Sequence, residues 1–156
     1  MTDDKKKLAK LQSLAQLDVD AIGTYEAALK RVDVPMLVEE LGEFKADHER
    51  HVRSLNALIA KYGGQPVSFK PDLMGSVLKG FTSVTSMMGN EAALIAMIGN
   101  EELTTRTYQA ALKLEWSPEE KTVIESHYAD EQRHLSWIRD AAKSRRWANE
   151  EREVHP

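Results

Sequence analysis

The sequence matches itself at an offset of 83 residues, and the match falls on polar residues that a helix would turn inward. Thr24-Tyr25-Glu26-Ala27-Ala28-Leu29-Lys30 aligns with Thr107-Tyr108-Gln109-Ala110-Ala111-Leu112-Lys113. Without a gap, Pro35 falls on Pro118, and Asp47-His48-Glu49-Arg50-His51 falls on Asp130-Glu131-Gln132-Arg133-His134. The same offset sets Asp18 on Glu101. A chain built this way carries two copies of one supersecondary unit. Each copy holds a lone carboxylate and then two metal-ligand residue types three positions apart. Di-metal four-helix bundles supply their ligands in that order, one carboxylate from one helix and an i, i+3 pair from the next.

The spacing of apolar residues predicts four long helices. Leu11, Ala15, Asp18, Ile22, Tyr25, Leu29 and Val32 share a face of the first. Leu37, Leu41, Phe44, His48, His51, Leu55 and Ile59 share a face of the second. The third stripe runs Leu94, Met97, Glu101, Thr104, Tyr108, Ala111, and the fourth Ile124, His127, Glu131, His134, Ile138, Ala141. Steps of three and four residues turn each stripe toward a bundle core. Asp33-Val34-Pro35 can cap and start the second helix, since proline is tolerated in a first turn. Ser117-Pro118-Glu119-Glu120 reads as a capping box. Both connections are short, so each pair of helices forms an antiparallel hairpin. Gly63-Gly64-Gln65-Pro66 ends the second helix, and Met74, Val77, Phe81, Val84 and Met88 repeat at helical spacing within the long connection that follows. The expected layout is a single all-α domain over residues 1–156. Hairpin one covers about 5–62, a crossover with a short fifth helix about 63–90, and hairpin two about 91–148, with a charged tail to 156. That tail, from Lys143 on, reads as a fraying, solvated helix end. Gly99-Asn100 weakens the third helix before Glu101, which suggests a close packing contact or a π-bulge.

Composition removes several function classes. With no cysteine there are no disulfides, thiolate metal sites or cysteine nucleophiles. A net charge of -4 gives no reason to expect nucleic acid. No apolar run reaches the roughly 18–20 residues of a membrane span. The start, Met1-Thr2-Asp3-Asp4-Lys5-Lys6-Lys7, lacks the apolar stretch of a signal peptide, so a cytoplasmic location is the expectation.

Counting residues puts the polar positions at one height. The first turn centres near residue 33. Asp18 and His48 each lie 15 residues from it, about 22 Å at 1.5 Å per residue. The second turn centres near residue 116, with Glu101 and Glu131 each 15 residues away. Asp18, His48, His51, Glu101, Glu131 and His134 therefore share a layer. Burying that many ionisable groups without compensation would cost several kcal/mol each. A metal pair removes that penalty, and so does a metal-free polar network. Mixed imidazole and carboxylate donors suit iron, manganese or zinc. His127, one turn before Glu131, is an additional ligand or an outer partner. Tyr25 and Tyr108 either hydrogen-bond the carboxylates or simply fill the core.

Asp130-Glu131-Gln132-Arg133-His134 resembles the acid-Glu-x-Arg-His motif of the di-iron carboxylate enzymes, the desaturases and multicomponent monooxygenases. Glu101 with Tyr108 is similar to the third-helix pattern of the rubrerythrins. The whole arrangement resembles the ferritin-like superfamily, closest to its small bacterial bundle proteins. That resemblance implies a ferritin-like four-helix bundle made of two antiparallel hairpins. It implies two metal ions, iron first, held by Asp18, His48, His51, Glu101, Glu131 and His134, with no catalytic residue beyond that centre. It also implies that Asp47 and Asp130 orient ligand histidines across the bundle, where Arg50 and Arg133 could pair with them. Two positions depart from the pattern. His48-x-x-His51 stands where the family has Glu-x-x-His, and Asp18 stands for a glutamate. A neutral imidazole has one free lone pair and does not bridge as a carboxylate does. The departures point to an asymmetric site, to a single metal, or to a preference for zinc.

Two functions are compatible with these readings. One is oxidoreductase or ferroxidase-type chemistry on dioxygen, peroxide or ferrous iron. The other is a non-enzymatic, stress-associated or structural bundle with a structural metal or none. Expected partners are a small-molecule oxidant or ferrous iron, with neither nucleic acid nor membrane. A homodimer would follow the habit of such bundles.

Overall fold

The computed structural model describes residues 3–70 and 89–156, and the expected fifth helix of the crossover lies outside them. The described residues form α1 (Asp3–Leu29), α2 (Pro35–Lys61), α3 (Asn90–Ala111), α4 (Pro118–Ser144) and a short α5 (Ala148–Val154). The described residues are all-α, as the periodicity predicts. α1 packs on α2 and on α3, and α4 packs on α3 and on α2, which closes a four-helix bundle. The ends fix the directions. The α1–α2 turn meets the start of α3, where the Asp33 backbone N–H donates to Asn90 Oδ1 at 3.1 Å. The end of α2 meets the start of α4, where Tyr62 donates to Glu120 Oε2 at 2.6 Å. The two hairpin turns thus lie at opposite ends, with α2 and α3 running the same way.

The two larger of three apolar clusters among the described residues fill the bundle, one toward each end. One contains Leu37, Leu41, Met97 and Ile138. The other contains Leu11, Leu14, Leu55 and Ile124. Each fully buried Leu or Ile contributes about 1.5–3 kcal/mol. The polar layer lies between these clusters, so the fold can sustain buried charge at its middle.

Helix boundaries follow local chemistry, with exceptions. At α4 the capping box forms: Ser117 Oγ accepts from the Glu120 N–H at 3.3 Å, and Glu120 Oε1 accepts from the Ser117 N–H at 3.0 Å. At α2, Pro35 opens the helix but Asp33 does not cap it. Val34 holds the cap position without a side-chain bond. The free Met36 N–H donates instead to Glu150 Oε2 from α5, at 2.9 Å. After α2, Gly63 adopts φ +76°, and a Cβ on Gly64 would come within 2.5 Å of Leu8 Cδ1. Glycine there permits both the turn and the close approach.

The tail stays largely exposed, as expected, but it is anchored rather than fraying. Arg145 turns the chain with a left-handed φ of 53°. Trp147 then returns to the core at 1% exposure, and its indole N–H donates to the Ala141 carbonyl at 3.1 Å. Glu151 accepts from Asn90 Nδ2 at 2.9 Å, and His155 meets Asp33. One large indole and these paired acids hold the segment down despite its charge. Gly99 is also ordinary: α3 is regular α-helix through Gly99 and Asn100, and a Cβ on Gly99 would touch nothing.

Candidate metal centre

Asp18 from α1, His48 and His51 from α2, Glu101 from α3, and Glu131 and His134 from α4 converge with no side-chain exposure. All six side chains counted into one layer are therefore in one cluster. Their donor atoms fall into two groups that could hold a metal ion: Asp18, His48, His51 and Glu131, and His48, Glu101, Glu131 and His134. His48 and Glu131 belong to both.

In the first group, Asp18 Oδ1 lies 2.6 Å from His48 Nδ1 and 3.2 Å from His51 Nδ1. Glu131 Oε1 lies 3.5 Å from His48 Nδ1 and 3.3 Å from His51 Nδ1. In the second, Glu101 Oε1 lies 3.0 Å from His48 Nε2 and 3.5 Å from His134 Nδ1. Glu131 Oε2 is 3.8 Å from His134 Nδ1. Bonds of about 2.0–2.1 Å in a tetrahedral site place the donors about 3.3 Å apart, and these spacings bracket that value.

A surrounding set of residues fixes the donors. Asp47 Oδ2 accepts from His134 Nε2 at 2.8 Å, and Asp130 Oδ2 accepts from His51 Nε2 at 2.8 Å. Each aspartate reaches across from the neighbouring helix, so both imidazoles turn Nδ1 inward. Arg133 donates to Asp47 at 2.7 Å and Arg50 to Asp130 at 2.9 Å. Each arginine also reaches the aspartate on its own helix, which links α2 and α4 at the surface. Tyr25 donates to Glu101 and Tyr108 to Asp18, each from one hairpin to the other. His127 belongs to neither group. It stacks on His51 with ring centroids 3.9 Å apart, and its Nδ1 is 3.2 Å from the Tyr108 hydroxyl.

Thr104 was a core position in the sequence and nothing more. Its hydroxyl reaches Glu131 Oε2 at 2.9 Å and Glu101 Oε2 at 3.1 Å. The available signal was its place on the third stripe, one turn after Glu101. Phe44 stacks on His134 at 4.3 Å, just as His127 stacks on His51.

Burial and charge set the protonation states. Burial opposes ionisation of Asp18, yet hydrogen bonds from His48 and His51 hold its carboxyl well below the usual range. Glu101 is also lowered against its burial, by the charge of His48, the nearby His134 ring and a hydrogen bond from His48. Glu131 goes the other way. Burial, with the Glu101 charge beside it, pushes it up to about 8 although His48 opposes this. Burial would lower His51, but Asp130 and Asp18 raise it to about 10. His48 is raised against burial by Glu131 and Glu101. His127 has no such support: burial and the nearby His51 charge take it down to about 3.

The donor set fits a cation. Among the described residues four buried side-chain polar atoms lack a hydrogen-bond partner, and two of them are Glu131 Oε1 and His134 Nδ1. Buried lone pairs without partners are costly, and a coordinated ion satisfies them.

Fold and site together define a helical bundle whose buried Asp/His/Glu cluster could hold metal ions. Residues 6–114 match the family described as Domain of unknown function (DUF2383), and the chain belongs to that family. The matched span includes Asp18, His48, His51 and Glu101 and stops before Glu131 and His134. Comparison with curated proteins finds no match. No described helix is long and apolar enough to cross a membrane.

Proposed function

We propose that the chain is a single ferritin-like domain holding two metal ions, iron first, and that it oxidises ferrous iron or reduces dioxygen or peroxide. The observation behind this reading is the pair of fully buried four-donor groups that share Glu131 and His48. Carboxylates stabilise the higher charge of oxidised iron, and imidazoles add neutral, borderline-soft donors. Two iron ions so bound would supply electrons to an oxidant. The chain's own part is positioning. Asp47 and Asp130 hold two imidazoles by Nε2 and turn Nδ1 toward the donor groups. Tyr25 and Tyr108 fix Glu101 and Asp18 by bonds from the opposite hairpin. The complete burial of all six side chains suits a small oxidant better than a large organic substrate.

A second reading has its own observation. Three buried imidazoles face three buried carboxylates, and His48, His51 and His134 are all raised in pKa. Protonated histidines could balance that charge without metal, and the bundle would then be structural. Elemental analysis of protein purified without tag or chelator separates the two, followed by anaerobic ferrous loading and exposure to oxygen. The redox reading expects about two irons per chain, oxygen consumption, and loss of metal in His51→Ala and His134→Ala. One zinc with redox silence would leave a structural metal. No metal, and a melting temperature indifferent to chelator, would leave the charge network.

A further inference from the structure

The repeat that relates the hairpins pairs His48 with Glu131, the two residues common to both donor groups. Each presents a different atom to each group. Glu131 offers Oε1 to the first, within 3.5 Å of His48 and His51 Nδ1, and Oε2 to the second, 3.8 Å from His134 Nδ1. His48 does the same with its ring nitrogens. Nδ1 is 2.6 Å from Asp18 Oδ1 in the first group, and Nε2 is 3.0 Å from Glu101 Oε1 in the second. The opposite edges of one ring thus address the two groups.

We propose that His48 ligates both metal ions, Nδ1 to one and Nε2 to the other, as an imidazolate bridge beside the Glu131 carboxylate. This rests on the di-metal reading above. With the bridge, each ion has two nitrogen and two oxygen donors. They are Asp18, His51, Glu131 and His48 Nδ1 on one side, and Glu101, His134, Glu131 and His48 Nε2 on the other. A terminal His48 would leave the Glu101 side with three donors and unequal halves. Without metal, each ring nitrogen of His48 faces a carboxylate and the ring carries an N–H on both. When both nitrogens form metal bonds, those two protons leave the ring for solvent, and no electron is transferred.

Copper(II) is the probe, because a shared imidazolate couples two copper spins while separated ions keep theirs. Wild-type protein should retain two copper ions after desalting, with an integrated spin signal well below two per chain. His48→Ala should weaken both ions by more than about tenfold. A terminal ligand would affect one ion alone. His48→Gln, close in size and polar, serves where the alanine variant fails to fold, and should give the same two losses. Two retained ions with their full spin signal would overturn the bridge and leave the di-metal reading standing. Coupling that survives in either His48 variant would also overturn it. Fewer than two ions in the wild type would overturn both.

Discussion

Around Asp18 the cluster is polar out to its second layer; around Glu101 it turns apolar one residue sooner. The offset that pairs the two halves sets Phe44 against His127 and Ala21 against Thr104. Phe44 covers His134, and His127 covers His51 in the same stacked way. His127 further meets Tyr108, whereas a phenyl ring offers Tyr25 no such contact. Thr104 restores polarity on the other side by bonding both Glu101 and Glu131, a link that Ala21 cannot make. The same backbone plan therefore gives one half a buried neutral imidazole and the other a buried hydroxyl. What the two halves keep in common is the frame: tyrosine to carboxylate, aspartate to histidine Nε2, and arginine to aspartate. Symmetry is retained where it orients donors and relaxed where it tunes their surroundings.

The largest effect should come from breaking the frame on one side at a time. Asp47→Asn removes the charge that holds His134, and Asp130→Asn does so for His51. Loss of such an outer partner weakens metal binding by about 10–100-fold. Each variant should loosen one ion and spare the other, measured by chelator competition. Equal loosening of both ions by either variant would show that the halves do not act separately.

A moderate effect should follow pH. In the metal-free protein Glu131 is held up at about 8. Below that value an incoming ion must displace its proton, and above it the carboxylate is already free. Affinity should therefore rise with pH more steeply from 6 to 8 than beyond 8. Proton release on metal addition, followed with a pH indicator, should fall over the same range. A flat affinity between pH 6 and 8 would contradict the raised value. The acids outside the cluster carry the opposite sign. Asp47 and Asp130 are both lowered against burial by their histidine and arginine partners. Their stabilisation is complete above the ordinary carboxylate range and disappears as pH falls through their depressed values.

The smallest effect should come from making the halves alike. His127→Phe copies the Phe44 arrangement onto the Asp18 side. Two ions should remain, and the lost contact to Tyr108 should lower stability by about 1 kcal/mol, read from denaturant unfolding. Loss of an ion would make His127 a ligand and contradict the stacked geometry.

Much of this arrangement was legible in residue spacing. The offset, the inward stripes and the equal distances to each turn brought the six polar side chains to one height. Two signals misled. Asp33 before Pro35 has the composition of a helix cap, but Asn90 and His155 draw its carboxylate away. The tail read as a fraying end because Trp147 is a single apolar residue among ions, and a lone residue makes no periodic stripe.

The sequence by itself determined the four long helices, their inward faces and the level of the cluster. Each depends on 3.6-residue periodicity and chain length, which are local quantities. The tertiary structure alone decided which atoms meet. That His48 presents Nδ1 to one group and Nε2 to the other depends on how four helices pack around it. So do the reach of Asp47 to His134 and the closure of the bundle end by α5. These contacts join residues up to 114 positions apart, and no local pattern encodes them.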